Sequence, residues 1–209
     1  MALVDYLVAR DSLPSRRGLA YDYVLAGDGL YLVTENHLLS VRVPAARCTV
    51  RGLPPLYPAC VLKQGRLPAL LWEKIITLAY ACAHHEREVL CAVTEGGNGG
   101  YRLVVPHQIV DRDNISYRPI SDSVLEIHSH HRYRAYFSST DDADEQRLCL
   151  YGVVGRLDSP QPEVALRVGA YGYSLPVPWE SVFDGGRDRF RDVSFDQPRE
   201  ARKDDELPH

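Results

Sequence analysis

Residues 126–141 read EIHSHHRYRAYFSSTD, and with the preceding SVL they extend an alternating run, SVLEIHSH at 123–130, that predicts a β-strand. Side chains two apart on a strand share a face, so His128 and His130 stand side by side as a chelating pair. A third ligand has to return to the same point by a turn. Ser138 to Asp141 resembles a capped helix start with acidic residues in its first turn, which places Asp141 there, Asp142 being the near alternative. Two imidazoles and one carboxylate are the usual donors of a catalytic zinc, which keeps a further position for water. H-x-H alone is a weak signal; H-x-H, seven residues, then S-x-x-D fixes four residue types at fixed spacing.

Working outward, residues 21–50 carry short apolar runs broken by Ala-Gly-Asp-Gly and Glu-Asn-His, a small β-meander. RGLPPLYPAC at 51–60 favours an extended connector, and the boundary of a β-rich N-terminal extension (1–60) falls at its end. Leu67, Leu71, Ile75, Leu78 and Cys82 recur at helical spacing, which predicts a helix over about 68–85 with Pro68 in its first turn. EVLCAVT at 88–94 is a short buried strand, EGGNGG a turn, and YRLVVPHQIV at 101–110 the returning arm of a hairpin. The loop at 107–122 has no readable regularity. Strands follow at about 149–156, 163–170 and 172–178, and from Gly185 the charged, apolar-poor sequence (185–209) is expected to be disordered.

The 209 residues are 45% apolar and 25% charged, an ordinary globular composition. A formal charge of −4 and the lack of a basic patch argue against a nucleic-acid partner. No apolar run approaches the roughly 18–20 residues of a membrane span, and no secretory leader is evident at the start. The five scattered cysteines, with no C-x-x-C pair, fit reduced thiols in the cytoplasm.

The H-x-H, seven residues, S-x-x-D pattern of His128, His130, Ser138 and Asp141 resembles the signature of the JAMM (MPN+) metalloprotease family, prokaryotic JAB type. The resemblance covers about residues 68–183. It implies an α/β (α+β) MPN/JAB core, cytidine-deaminase-like, with a mixed sheet flanked by helices over residues 61–184. One departure is His131, which stands where the family has proline; strand alternation points it away from the ligand face. The whole-chain layout, with VRGLPPLYPA before the core, is similar to the protein A family of bacterial PRTRC cassettes, which also encode E1-like and ubiquitin-like components.

The family also implies a general base on the strand after the first long helix. Glu88 in EVLCAV fits that pattern best; Glu86, followed by Arg87, is the alternative, with Glu95 and Glu126 behind it. By resemblance, Zn2+ held by His128, His130 and Asp141 polarises the scissile carbonyl. Glu88 deprotonates the water, and Ser138 donates to the oxyanion. The implied activity is hydrolysis of an amide or isopeptide bond after the C-terminus of a ubiquitin-like protein, with E1-like or E2-like partners. Two other readings stay open: a non-catalytic MPN scaffold binding an E1-like or ubiquitin-like partner, and a zinc hydrolase of a small amide. Asp144 and Glu145 read as helix-start carboxylates, His84 and His85 as a helix end, and His107 as a surface residue. Tyr133 and Tyr136 are candidates to line a peptide channel, and Cys91 reads as a small buried residue.

Overall fold

The computed structural model describes residues 2–111, 114–118 and 120–196. Five strands come first: β1 (Val4–Val8), β2 (Tyr21–Ala26), β3 (Gly29–Glu35), β4 (Leu39–Arg47) and β5 (Ala59–Leu62). They form one sheet in sequence order, antiparallel except where β1 runs parallel to β2. Helix α1 (Ala69–Ala83) follows, with Leu71, Trp72, Ile75 and Ala79 on its buried face, the three-and-four spacing of an amphipathic helix.

Next along the chain are β6 (Leu90–Glu95), β7 (Tyr101–Val104), β8 (Gln108–Asp111), β9 (Asn114–Tyr117), β10 (Ser123–Ser129), the short α2 (Ser139–Asp144), β11 (Cys149–Gly155), β12 (Glu163–Ala170), β13 (Tyr173–Pro176), α3 (Trp179–Val182) and the two-residue β14 (Arg191–Asp192). The second sheet has the order β13-β12-β11-β10-β6-β7, with β14 beside β12, and among the described residues β8 and β9 form a separate two-stranded sheet. β10 and β11 are parallel, so the chain between them must cross back over the sheet. That crossover carries α2. The chain is a mixed α+β protein, mostly sheet, with few helices.

One apolar cluster joins the two sheets: Leu32, Val41 and Val43 of the first pack with α1 and with Leu125, Leu150 and Leu166 of the second. The N-terminal strands thus share the core that supports the crossover. Trp72 lies edge-on to Trp179 at 4.7 Å and close to Phe190 at 5.0 Å. Each such side chain, fully buried, is worth on the order of 2–3 kcal/mol.

The elements depart from the sequence reading in four places. The first sheet runs on to Leu62, since β5 pairs with β4, and Leu62 joins the common core. Strand β1 falls outside the meander expected at 21–50. The featureless loop at 107–122 contains the β8–β9 hairpin. Disorder from Gly185 does not hold for residues 185–196, because Phe190 and Val193 are buried, Ser194 Oγ accepts from Leu166 N–H at 2.8 Å, and β14 pairs with β12. Two apolar side chains and a strip of backbone suffice to dock a segment whose composition is otherwise polar. Residues 197–209 lie outside the described residues. Among the described residues, no helix is long and apolar enough to cross a membrane.

Candidate metal centre

Strand β10 sits inside the second sheet, antiparallel to β6 on one side and parallel to β11 on the other. Its ladders fix His128 opposite Leu90. Ser129 turns the other way: its N–H donates to Val89 C=O at 3.0 Å and its Oγ accepts from Val89 N–H at 3.1 Å. Glu88 and His130 are the next residues on the two segments, past the last rung of the ladder, and both line one pocket. The pocket lining, not sequence spacing, separates the candidate bases. Glu88 lines the same pocket as His128 and His130, whereas Glu86 is exposed on a backbone with φ +52° and outside that lining. Glu95 is seven residues along β6 from Glu88, roughly 23 Å at strand rise, and accepts from Gln64 Nε2.

After His130 the chain leaves the sheet through His131 at φ +46°, a conformation closed to proline. The crossover therefore leaves the strand on a path that a proline at this position does not permit. Tyr133 N–H donates to His130 C=O at 2.8 Å, and Ala135 is buried against Val153, Ala165 and Val193. Ala135 N–H donates to Glu163 on β12 at 3.3 Å. This anchored loop presents Arg134 C=O to His130 Nδ1 at 3.2 Å, so Nδ1 carries the proton and Nε2 keeps its lone pair.

The loop ends in α2, whose start is a reciprocal capping box. Asp141 N–H donates to Ser138 Oγ at 3.2 Å, while Ser138 N–H and Oγ–H both donate to Asp141 Oδ2 at 2.7 Å. Asp141 Oδ1 is left facing His128 Nε2 at 3.6 Å, and the two Nε2 atoms are 3.0 Å apart. Candidate ligand atoms of all three residues lie within 4.8 Å of one another. A tetrahedral ion with bonds near 2.0–2.1 Å needs ligand atoms about 3.3 Å apart. The two separations bracket that figure, so the cluster can hold a metal ion. Burial pushes the His128 imidazole down to about 4 against the opposing pull of Asp141, and it lowers His130 too. Both rings are then neutral near pH 7, the form that binds metal.

The pocket over this cluster encloses about 460 Å³ and is lined by Glu88, Leu90, Tyr133, Tyr136, Ser138 and Asp141 among others. Tyr133 is 60% exposed at its rim, and the Tyr136 ring packs edge-on to His130 at 5.0 Å. Glu126 shares the pocket, as its strand parity with His128 requires, but at 3% exposure it is engaged elsewhere. Ser123 Oγ–H donates to it at 2.7 Å, Tyr117 O–H at 3.1 Å, and Arg147 pairs with it. Of the other acids, Asp144 and Glu145 line the pocket, and Asp142 and Glu145 pair with Arg167. His107, His84 and His85 are exposed and outside the lining. Burial pushes the Cys91 thiol up to about 12, consistent with a packing residue.

Sequence reading missed Tyr117, Tyr151 and Thr140 in the pocket lining, and Arg167. For Arg167 there was a signal, a charge in the middle of the apolar strand EVALRVGA, since such a charge is buried only when paired. The chain matches no family model and no curated protein.

Proposed function

We propose that the chain is a metal-dependent hydrolase, and more narrowly a zinc isopeptidase or peptidase of JAMM type. Its substrate would be an amide bond following the C-terminus of a ubiquitin-like protein, with E1-like or E2-like proteins as partners. The observation that carries this is the convergence of His128, His130 and Asp141 under one pocket, with Glu88 on the same face. The H-x-H, S-x-x-D pattern supports the narrower reading.

His128 Nε2, His130 Nε2 and Asp141 Oδ1 would hold the ion. Bound there, Zn2+ supplies Lewis acidity that makes water more acidic and a carbonyl more electrophilic. Glu88, in the same pocket wall as His130, would take the proton from the attacking water on a carboxylate oxygen and return it to the leaving amine. Leu90 and the tyrosine rim limit bulk water at the reacting bond. Ser138 has one hydroxyl proton, and here it is directed at Asp141 Oδ2. Its first task is therefore to aim the third ligand; donation to an oxyanion requires that hydroxyl to rotate.

The purified chain is expected to carry about one zinc and to cleave a ubiquitin-like protein bearing a C-terminal reporter amide. Glu88→Gln should keep the metal and lose turnover. A metal-free wild type that still binds such a protein tightly supports the scaffold reading instead, and cleavage confined to small amides supports the small-amide hydrolase.

A further inference from the structure

Helix α2 spans six residues and has no buried residue of its own, yet it carries Asp141. Something outside the helix must hold it. Strand β12 supplies Glu163, Ala165 and Arg167 along one face, because alternate residues share a side of the sheet. Glu163 and Ala165 hold the loop at Ala135. Arg167, 9% exposed, reaches the next stretch: its guanidinium lies 3.8 Å over the ring of Phe137, immediately before the Ser138 cap. Nη1 donates to Asp142 at 2.6 Å, immediately after Asp141, and Nε donates to Glu145 at 2.6 Å, just beyond the helix end. One rigid planar group on the sheet thus grips α2 before, beside and after the ligand.

We infer that Arg167 is a positioning residue for the metal centre, fixing Asp141 by clamping α2 between Phe137, Asp142 and Glu145. This rests on the metal reading above. It explains a buried arginine in an apolar strand, where burial of an ion pair by itself contributes little to stability. Lysine cannot replace it, since an ammonium offers no planar fork to reach both carboxylates while stacking on a ring. Behind the clamp is a cavity of about 270 Å³, lined by Pro44 and Ala45 of β4 as well as by Asp142, Glu145 and Arg167. The N-terminal sheet therefore faces the clamp across this cavity.

The test is the affinity of the metal-free full chain for Zn2+, measured by competition with a chromophoric chelator, beside the thermal midpoint without metal. Arg167→Met keeps length and apolar contact, and Arg167→Met with Glu145→Gln avoids stranding a buried carboxylate. Both are expected to bind Zn2+ about ten- to a hundredfold more weakly, the range typical of outer-shell partners. Co2+ bound to them should show an altered visible spectrum. Asp22→Asn is the control for stability alone. It removes a buried carboxylate in the first sheet, bonded to Gly18 N–H at 2.6 Å, and should lower the midpoint without changing affinity. Wild-type affinity in the Arg167 variants, or a loss equal to that of Asp22→Asn at matched stability, overturns the inference while leaving the metal reading intact. A wild type that binds no Zn2+ overturns both.

Discussion

At Gly155 the crossover loop packs directly on the sheet, and Gly155→Ala tests whether that loop sets the metal site. A Cβ built at Gly155 meets the carbonyl carbon of Arg134 at 2.5 Å, and meets Tyr133 O and Ala135 N closer still. Contacts under 3.0 Å are essentially never seen, so the loop has to retreat by at least about half an ångström. All three obstructing atoms are backbone and cannot rotate away. The His130 Nδ1–H bond to Arg134 C=O spans 3.2 Å, and a shift of that size along it reaches about 3.7 Å, past any useful hydrogen bond. The variant should lose about 1–3 kcal/mol of stability from overpacking and about tenfold or more in Zn2+ affinity. Gly152→Ala on the same strand is the comparison. Its Cβ meets only side-chain atoms, Ile127 at 2.8 Å and Leu166 at 3.0 Å, so it should cost stability without the loss of affinity. Denaturant unfolding and chelator competition on both variants decide the matter. Equal affinities for Gly155→Ala and wild type would refute the idea that the loop sets His130.

Glu88→Gln keeps the shape of the pocket wall and removes the proposed base; turnover of a ubiquitin-like reporter amide should fall about 10²- to 10⁴-fold, with metal content by mass spectrometry unchanged. Ser138→Ala deletes both the cap and the hydroxyl donor to Asp141 Oδ2, so it should lose about 1 kcal/mol in stability and bind Zn2+ more weakly, whereas unchanged affinity would leave Ser138 only a capping role. Stability of the metal-free chain should fall as pH drops from about 6.5 to about 4: burial holds His128 at about 4, so in that window the unfolded state binds a proton that the folded state does not. Denaturant midpoints across that range should decline less steeply in His128→Leu, and parallel slopes would remove His128 as the cause.

The parts of the centre that follow from local periodicity were legible in the sequence. Strand alternation alone puts His128 and His130 on one face, and the S-x-x-D cap needs only a helix start to bring Asp141 around. The preference for Glu88 over Glu86 came from resemblance and had no footing in local periodicity, because it depends on the register His128↔Leu90, a pairing between segments almost forty residues apart. The docking of residues 185–196 was hidden for a related reason: Phe190 reads as one aromatic among charges, and its partners Trp72 and Trp179 come from elsewhere in the chain. Arg167 announced itself as an anomaly in β12, yet nothing in the sequence says which carboxylates it meets.

The two halves of the candidate centre are held by different forces. His128 lies on a strand laddered on both sides, and moving it means breaking sheet hydrogen bonds to β6 and β11 together, while His130, one residue past that strand, is tied to β11 by its N–H to Val154 C=O at 2.7 Å and to the crossover by its Nδ1. Asp141 rests on a six-residue helix with no buried residue, too short to be stable by propensity and held by a serine cap and one guanidinium. Metal binding has to order whichever half is looser, so its free energy is coupled mainly to the crossover at 131–145 and only weakly to the strand. Changes in the crossover's supports should therefore register first as lost affinity, and changes in the sheet first as lost stability. Under the proposed function, that asymmetry would suit a centre that binds its ion firmly yet admits a chain end beside Tyr133 and Tyr136: the strand side would fix where the ion sits, and the crossover would adjust over it.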